Sequence, residues 1–448
     1  MPNTYLKRTG ISSGNQKKWT FSGWFKRSYI GTEQRLLTSS DNSSYDDNIR
    51  FNSDNTIEMT FNNSVVLKTN GVFRDPSFYY HIVVKVDTDQ ASANDRIVLY
   101  INGVDERTVG GYSTSSMPNQ GVTGYINYNA FYIGVTNPSA NSKHFNGIMS
   151  HVHFTDAYAY TASSFGETDS TTGEWKINVA PSVTYGSNGV WLFKNDNAVT
   201  DRSGQGNNFT SVGAGVTLTQ CSPSNVFSTL DFNNATTSAG FFLEYGATQV
   251  TTSDGGQFGG SSNLGAKTGK YYFEIKFVSE TSSNYGNISL SSSSNARESA
   301  RTNQHSNQVG AAYPNLCYEF DGNVYKDSGN SQGNFGTFGT GDIIMIAMDL
   351  DNQKAYFGKN GTWGNSGDPT SGSTGTGAAT LSANNDFWHL ALGDRNSSGT
   401  AVYQVNFGNG YFGTTQISSA GTNASGNGIF EYNCPANYTA LSTKGLNL

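Results

Sequence analysis

Apolar and polar residues alternate with a period of two in several segments of this chain, as they do in β-strands that bury one face. Residues 80–86 and 97–101 follow this pattern, and the pair Asn102-Gly103 after the second segment is typical of a tight turn. We therefore expect two strands whose inward-facing residues are Ile82, Val84, Val86, Ile97, Leu99 and Ile101.

The same order of strand, Asp-bearing loop, strand and Asn-Gly recurs at residues 341–361. Residues 343–350 are apolar, residues 351–353 break the pattern, and residues 355–357 resume it before Asn360-Gly361. This recurrence in both halves predicts an all-β fold made of two tandem antiparallel β-sandwiches. Because residues 343–348 are apolar on both faces, the outer face needs a cover, either residues 430–445 of the same chain or a neighbouring subunit.

Composition supports folded β-domains. Only 14% of the 448 residues are charged, while glycine is abundant at 52 residues, which favours strands and turns. The 25 Tyr, 27 Phe and 6 Trp are too many for a disordered chain. Residues 201–208 form a run of turn formers, which places a linker between the two sandwiches. The predicted domains are residues 1–200 and 221–448, with residues 201–220 as the linker.

The charge pattern excludes several partners. The net charge of −7 and the lack of a Lys/Arg stripe argue against nucleic acid and anionic membranes. No apolar stretch approaches ~20 residues, so we expect no membrane insertion. Residues 1–15 lack the apolar core of a signal peptide, so we expect synthesis in a cytoplasm. Cys221, Cys317 and Cys434 lack metal-site spacing and are interpreted as plain thiols, with a Cys221–Cys434 disulfide conceivable.

Three motifs in the second half resemble the SPRY family. They are the G-D-x-I, D-L-D and Y-F-x-K-N-G series at residues 341–361, the G-K-x-Y-x-E segment at 269–274, and the N-F-G segment at 405–409. The first half resembles the laminin-G type of concanavalin-like jelly roll at residues 19–27, 80–83 and 99–103. The resemblance implies a concanavalin-like jelly roll followed by a SPRY-like sandwich.

The segments that flank the second sandwich resemble those of virion proteins of marine and cyanobacterial bacteriophages. They are residues 221–225 before it, and residues 430–432 and 439–441 after it. This resemblance implies a protein of the virion surface that is made in the host cytoplasm. It also implies other virion proteins as partners.

We find no pattern that predicts catalysis. Related glucanases use two carboxylates on one strand, typically as E-x-D-x-x-E, and the nearest approach here is Glu167, Asp169 and Glu174. The offset of five residues between Asp169 and Glu174 puts them on opposite sides of a strand. There is also no phosphate loop, G-x-S-x-G elbow or H-E-x-x-H motif. We therefore expect a protein that is not an enzyme.

We predict no metal site and no cofactor, with calcium left open. His151 and His153 would share one face of a strand, but no third ligand is identifiable. The alternative is that Val152 and Phe154 face the core and the histidines face outward. Acidic loops at residues 87–89 and 349–351 carry the oxygens that calcium prefers, although such residues more often end strands.

Two functions fit a non-catalytic pair of sandwiches. The first is a tail fibre or tail-associated protein that recognises a host cell-surface glycan or protein, since aromatic residues on polar loops stack on sugar rings. The second is a structural decoration or adaptor subunit that packs on other virion proteins. A secreted bacterial lectin is a third option, and a homo-oligomer such as a trimer is expected. The candidate ligand-binding residues are Tyr313, Tyr318, Trp363, Tyr45, Asp46 and His144.

Overall fold

The computed structural model describes most of the chain. The described residues are 4–12, 14–41, 44–137, 139–194, 199–213, 216–231, 233, 241–252, 258–281, 286–292, 315–327, 330–383, 386–394 and 399–447. The chain divides into two compact units, Met1–Leu218 and Thr219–Leu448, here named the N-terminal and C-terminal units. Among the described residues all regular structure is β-strand or short 3₁₀ turn, which confirms the predicted all-β class.

In the N-terminal unit the strands are β1 (Tyr5–Thr9), β2 (Lys18–Arg27), β3 (Gln34–Ser40), β4 (Asp46–Phe51), β5 (Ile57–Phe61), β6 (Ser64–Thr69), β7 (Tyr80–Asp87), β8 (Ile97–Ile101), β9 (Val104–Asp105), β10 (Tyr112–Ser115), β11 (Ala130–Ile133), β12 (Gly147–Asp156), β13 (Gly166–Thr168), β14 (Trp175–Ile177), β15 (Val190–Leu192) and β16 (Thr210–Val212). Its 3₁₀ turns are Ala93–Asp95, Glu106–Thr108 and Ala162–Ser164.

Two antiparallel sheets form the N-terminal sandwich. One has the strand order β10-β6-β5-β4-β3-β11-β1-β16 and the other β15-β12-β2-β7-β8-β9. The rings of Phe131 on β11 and Phe154 on β12 meet across the two sheets at 4.8 Å. The six residues predicted to point inward from β7 and β8 all belong to this one buried cluster, which confirms the face assignment from the period of two.

The stretch predicted as a linker contributes to the N-terminal sandwich. Strand β16 pairs with β1, with Leu6 opposite Ser211. Phe209 is 5% exposed and lies in the sandwich core. Asp201 accepts the backbone N–H groups of Trp191 at 2.9 Å and Ser203 at 2.8 Å. The turn formers at residues 201–208 therefore shape a loop that leads into a final strand of this unit.

In the C-terminal unit the strands are β17 (Phe241–Glu244), β18 (Gln249–Thr252), β19 (Phe258–Ser261), β20 (Lys270–Glu280), β21 (Gly286–Ser292), β22 (Asn315–Glu319), β23 (Asn323–Lys326), β24 (Asn330–Asn334), β25 (Ile343–Asp349), β26 (Lys354–Lys359), β27 (Thr362–Trp363), β28 (Ala379–Thr380), β29 (Trp388–Asp394), β30 (Ala401–Asn406), β31 (Tyr411–Phe412), β32 (Thr415–Gln416) and β33 (Thr439–Ala440). Its 3₁₀ turns are Gly364–Ser366, Gly372–Thr374 and Gly445–Asn447.

The C-terminal unit is also a sandwich. One sheet runs β17-β18-β30-β20-β25-β26-β27, with β28 paired to β26 and β33 paired to β20. The other sheet runs β19-β29-β21-β22-β23-β24. Tyr318 on β22 and Phe357 on β26 pack across the two sheets with ring centroids 4.9 Å apart. The hairpin of β25 and β26 lies where residues 343–357 predicted strand, break and strand.

The outer face of β20 and β25 is covered by the same chain. Residues 430–441, here named the C-terminal strap, run over this face and include β33, which pairs in parallel with β20. Phe430 packs edge to face on Tyr272 at 4.8 Å, and Met345 and Ala347 of β25 are 2% and 0% exposed. Of the two covers predicted for residues 343–348, the chain's own C-terminal segment is present. Within the described residues no helix is long and apolar enough to span a membrane.

Candidate functional site

Five of the six residues selected from the sequence lie in the part of the chain that the structure describes. Tyr313 lies outside the described residues. Tyr318 lies on β22, not on a loop, and is fully buried. Its ring packs on Phe338 at 5.0 Å and its hydroxyl donates to the carbonyl of Gly336 at 2.5 Å. Tyr318 is therefore a core residue and cannot stack on a ligand at the surface.

Trp363 lines a pocket on the C-terminal unit. The pocket has a volume of about 250 Å³, and its lining residues, here named the aromatic pocket, are Met345, Gly361, Trp363, Glu431, Tyr432 and Asn433. Strand β27 and the preceding turn form one wall, and the C-terminal strap forms the other. Residues about 70 positions apart in sequence are thus brought to one concave surface that combines two aromatic rings with a carboxylate and an amide.

The Trp363 side of the pocket is fixed by packing. The indole meets the ring of Tyr272 at 6.3 Å and that of Tyr356 at 6.5 Å, both edge to face. Tyr272 and Tyr356 are themselves buried on β20 and β26, the two strands that flank β25 in the sheet. Trp363 stays half-buried. An aromatic side chain that is held on one side and open on the other presents a rigid surface to a ligand.

The Tyr432 side is fixed by a buried carboxylate. Glu274 on β20 is fully buried, and its Oε1 accepts the backbone N–H of Tyr432 at 2.8 Å. Its Oε2 accepts the backbone N–H of Glu431 at 2.8 Å. Tyr272 donates its hydroxyl to Oε1 at 2.9 Å, and Asn406 donates its amide to Oε2 at 3.2 Å. Four donors therefore surround Glu274, and two of them belong to the strap that forms the pocket wall.

Burial dominates the electrostatics behind the pocket. Desolvation raises the pKa of Glu274 to about 7, although the N–H groups of Tyr432 and Glu431 act in the opposite direction. Burial also raises the pKa of Tyr272, with the nearby Glu274 carboxylate adding to the effect. A carboxyl with a raised pKa is a common sign of a catalytic acid. Here, however, both oxygens are engaged and shielded from solvent, so Glu274 acts as a structural clamp.

A glycine is required where the two walls meet. Gly361 follows Asn360 in the turn between β26 and β27 and has φ of +86°, a conformation that favours glycine. A Cβ at this position would lie 3.1 Å from Cδ1 of Tyr432. The backbone N–H of Gly361 donates to the sulfur of Met345 at 3.1 Å. The Asn-Gly signal that predicted the turn therefore also explains how Tyr432 lies close to the backbone.

Tyr45 belongs to a separate aromatic cluster in the N-terminal unit. Its ring stacks on Tyr125 at 4.7 Å and meets Tyr128 edge to face at 5.7 Å. Tyr45 is only 7% exposed, whereas Tyr128 is 44% exposed. The buried carboxylate of Asp47 holds this loop, since its Oδ2 accepts the N–H of Tyr125 at 2.6 Å. The accessible ring of the cluster is thus Tyr128, which the sequence did not single out.

Asp46 and His144 are engaged within the protein. Asp46 starts β4, and its Oδ2 lies 3.3 Å from Nη2 of Arg35 in an ion pair. His144 is half-buried, its ring lies 6.1 Å from that of Tyr5, and its Nε2 lies 3.2 Å from the carbonyl of Asn141. Neither residue lines the aromatic pocket. Of the five candidates that the structure describes, Trp363 is the one that lines this pocket.

The carboxylates considered for catalysis lie in a hairpin. Lys176 on β14 pairs with Glu167 at 3.6 Å and with Asp169 at 3.0 Å. Oδ1 of Asp169 accepts the N–H groups of Thr171 and Thr172. These bonds together with Lys176 hold the pKa of this half-buried carboxyl well below its usual range. Glu174 is exposed after the turn. The three groups therefore shape the turn between β13 and β14.

The acidic loops and histidines considered for metals are paired internally. Asp349 bonds Lys270 at 2.8 Å and Asp87 bonds Lys18 at 3.2 Å. His151 and His153 lie on the face of β12 opposite Val152 and Phe154, as one hypothesis expected, but they are covered and not exposed. Within the described part of the chain, no group of three or more His, Cys, Asp or Glu side chains is placed to hold a metal ion.

The three cysteines are buried thiols, and Cys221 and Cys434 do not form the disulfide that was conceivable from the sequence. Burial raises the pKa of Cys434 to about 12. Its Sγ lies 3.6 Å from the carbonyl of Tyr438 within the strap. Cys434 thus contributes to packing next to the pocket and is a poor nucleophile at neutral pH.

A family comparison agrees with the fold of the N-terminal unit. Residues 3–164 match the sequence model of the concanavalin A-like lectin/glucanases superfamily, Laminin_G_3. This confirms the concanavalin-like part of the predicted architecture. No curated protein matches the chain.

Solved structures that are similar to parts of this chain include three of low sequence identity. The SPRY domain of human HERC1 is 17% identical, with 39% of this chain and 96% of that chain covered and a TM-score of 0.31. A pentraxin from Limulus polyphemus is 13% identical, with coverages of 35% and 71% and a TM-score of 0.25. A carbohydrate-binding module from Bacillus subtilis is 10% identical, with coverages of 38% and 91% and a TM-score of 0.25.

Proposed function

We propose that this protein is a non-catalytic carbohydrate-binding protein that holds a neutral sugar ring in the aromatic pocket of its C-terminal unit. The observation that carries the proposal is the placement of Trp363 and Tyr432 on two separately anchored walls of one pocket. Sugar rings present apolar C–H faces and polar edges, so they are bound by aromatic side chains together with a few amide and carboxyl groups.

The lining residues favour an uncharged ligand. The six residues that line the pocket include Glu431 and Asn433 but no Lys or Arg. A carboxylate or sulfate on a sugar would face Glu431 without a compensating cation, which disfavours acidic glycans. The volume of about 250 Å³ lies just below the ~300 Å³ at which pockets for drug-sized ligands begin. We therefore propose that a single neutral ring enters, with the rest of the glycan outside.

The proposed binding needs neither a cofactor nor calcium. Calcium takes about six to eight oxygen ligands, and the pocket lining offers one carboxylate and one side-chain amide. The match of the N-terminal unit to a superfamily named for lectins and glucanases supports a lectin-like role. Fold alone does not decide function, so the proposal rests on the pocket.

The proposed setting is the surface of a phage particle, where the protein contacts a host cell-surface glycan. The sequence resemblance of residues 221–225, 430–432 and 439–441 to phage virion proteins supports this setting. The structural-subunit alternative had one specific support, the apolar outer face of β25. Since the C-terminal strap covers that face, this observation no longer calls for a neighbouring subunit.

Binding of the full chain to an array of neutral, amino and acidic glycans tests the proposal. We expect saturable binding to a neutral glycan that persists with a calcium chelator. Trp363→Ala should weaken it about tenfold or more. Phe242→Ala is the matched control, because Phe242 is a 46% exposed aromatic residue of the same unit that does not line the pocket. Absence of glycan binding, or equal binding by the Trp363→Ala variant, would refute the proposed function.

The phage setting is tested separately. We expect peptides of this chain in purified particles of a phage that encodes it, and antibody labelling at the particle surface. A protein found only in the lysate and never on particles would contradict the setting while leaving glycan binding intact.

A further inference from the structure

Three histidines form one buried layer in the N-terminal unit. His81 on β7 and His151 and His153 on β12 are 0%, 5% and 2% exposed. They lie on the outer face of the six-stranded sheet, opposite the sandwich core. Residues 157–185, here named the covering segment, lie over them and contribute Phe165, Trp175 and Tyr185 to the contacts. Trp191 on the neighbouring strand β15 of the same sheet adds a fourth ring.

His81 is held in a neutral form by its two partners. The indole Nε1–H of Trp175 donates to Nδ1 of His81 at 2.9 Å, and the hydroxyl of Ser22 lies 2.9 Å from Nε2. An indole N–H can only donate, so Nδ1 must keep its lone pair. The ring of His81 is also stacked on Trp24 at 4.5 Å, and its centroid lies 5.9 Å from that of Trp175. Protonation of His81 would set two N–H groups against each other and break the contact with Trp175.

Trp175 fits this place only because two glycines leave room for it. A Cβ on Gly166 would lie 2.5 Å from the Trp175 ring, and a Cβ on Gly103 would also collide with it. Trp175 is the first residue of β14. This strand pairs with β13 in the register that places Glu167 opposite Lys176. The hairpin of β13 and β14 is therefore fastened to the sheet through Trp175 and His81.

The other two histidines are also buried without a charged partner. Nδ1 of His153 lies 2.9 Å from the hydroxyl of Tyr185, and its ring lies 5.0 Å from Trp191. Nδ1 of His151 lies 2.8 Å from the hydroxyl of Ser150, while its Nε2 has no hydrogen-bond partner. The rings of His151 and His153 are 6.4 Å apart, so two positive charges here would repel each other.

The ionisable neighbours do not compensate a positive charge. Lys194 lies over the ring of Trp191 at 4.1 Å and disfavours protonation of both His151 and His153. Among the described residues no carboxylate forms an ion pair with the three histidines, and burial lowers the pKa of each. The other titratable side chains near the histidines are tyrosines of the covering segment and the sheet and lysines on the same face of the sheet. They are Tyr100, Tyr160, Tyr185, Lys26 and Lys85. Asp201 contributes to the raised pKa of Tyr185.

We propose that the histidine layer is an acid-sensitive switch that releases the covering segment from the sheet as the pH falls below about 6. In the closed state the three histidines are neutral and buried. Once the segment detaches they reach water and take up protons. Opening would expose Trp24 and Val83 of the sheet and Phe165 of the segment, which are all buried in the closed state.

The sign and steepness follow from proton linkage. A histidine whose pKa is lowered by folding stabilises the closed state fully above its free value of ~6.5, and this stabilisation is lost as the pH falls below that value. Between pH 7 and 5 each histidine that protonates only on opening multiplies the open population by about 25. Three together give roughly four orders of magnitude.

Hydrogen exchange of the full chain between pH 7.5 and 5.0, corrected for the intrinsic rate at each pH, tests the switch. We expect the amides of β13 and β14 to lose protection steeply, while those of β4 and β5 in the opposite sheet stay protected. His81→Gln keeps an acceptor for Trp175 but cannot titrate, so the pH response should shrink about 25-fold. His153→Gln should have a similar effect, whereas the control His144→Gln, at a half-buried histidine of another region, should not.

Two outcomes would overturn the proposal. One is protection of β13 and β14 that stays constant from pH 7.5 to 5.0. The other is a pH response that is equal in the wild-type chain and the two Gln variants, with β4 and β5 protected in all of them. If the Gln variants lose protection throughout the unit, they are generally destabilised, and the Trp175→Phe variant is used to test the His81–Trp175 contact. This change removes the indole donor, so at pH 7.5 it should open β13 and β14 alone, and continued protection there would refute the role of the His81–Trp175 contact.

Discussion

Glu274 accepts the backbone N–H of Tyr432 at 2.8 Å across 158 positions of sequence. The same carboxylate accepts the N–H of Glu431. Because both donors are main-chain groups, the contact fixes the path of the strap and leaves the Tyr432 ring and the Glu431 carboxylate available to the pocket. A buried acid on a central strand thus determines the shape of a surface pocket.

Glu274→Gln should loosen the pocket wall. The amide keeps one acceptor oxygen, but its NH₂ group would face a backbone N–H or the amide of Asn406, leaving buried donors unpaired at a cost of about 1–3 kcal/mol. We expect faster amide exchange at residues 431 and 432 and weaker sugar binding. Glu280→Gln, at the half-buried end of the same strand, is the control and should change neither quantity. Unchanged exchange in Glu274→Gln would mean that the strap is held by its other contacts.

Glu274 also predicts a pH dependence of stability in the C-terminal unit. Since burial raises its folded pKa from 4.5 to about 7, its contribution is fully present below pH 4.5 and is lost as the pH rises to about 7. A difference of this size corresponds to ~3 kcal/mol. The free energy of opening for the β20 and β25 amides, compared between wild type and Glu274→Gln, should differ more at pH 4.5 than at pH 8. A difference that is constant with pH would contradict the prediction.

Gly361→Ala should displace Tyr432. The φ of +86° costs a Cβ-bearing residue about 1–2 kcal/mol, and the new methyl group would press on the Tyr432 ring at 3.1 Å. Gly341→Ala is the matched control, because its φ is +93° and a Cβ there meets no heavy atom within 4 Å. We expect both variants to lose stability and only Gly361→Ala to weaken glycan binding. Equal binding losses would indicate a general effect of backbone strain.

The sequence predicted the strand faces and turns, which depend on residues that are close together along the chain. The inward faces of β7 and β8 follow from alternation alone, and the turn before Trp363 follows from Asn360-Gly361. The period of two also assigned His151 and His153 to the face opposite Val152 and Phe154. It could not show that residues 157–185 lie over that face, because the covering segment has little regular pattern.

Only one wall of the aromatic pocket could be predicted from the sequence, because only that wall depends on neighbouring positions. Trp363 follows a recognisable turn, whereas Glu431, Tyr432 and Asn433 reach it only through contacts with Glu274 far away in sequence. One signal was present: Glu274 is a single carboxylate in the aromatic strand 271–277, where a charge requires buried partners. Tyr318 was misplaced because Leu316, Cys317 and Tyr318 are all buried, so β22 lacks the contrast between faces that marks a strand.

Asp47→Asn should release the tyrosine cluster of the N-terminal unit. Asp47 is fully buried and accepts three backbone N–H groups, those of Asn62, Asn63 and Tyr125. An amide would leave at least one of them unpaired, at a cost of about 1–3 kcal/mol. We expect lower thermal stability and faster exchange at Tyr125. Asp46→Asn, which affects only a half-exposed ion pair with Arg35, should cost about 0–1 kcal/mol.

Gly103→Ala should detach the β13–β14 hairpin at neutral pH, where the histidines are neutral. Gly103 has φ of +81°, and a Cβ there would collide with the Trp175 ring, so Trp175 would have to leave His81. Gly31→Ala is the matched control, since its φ is +77° and a Cβ there has no heavy atom within 4 Å. We expect both to cost about 1–2 kcal/mol through backbone strain. Only Gly103→Ala should expose β14 to exchange at pH 7.5. Protection of β14 in the Gly103→Ala variant would show that the hairpin is held without Trp175. The acid response of the histidine layer would then have to act through the contacts of His153 with Tyr185 and Phe165.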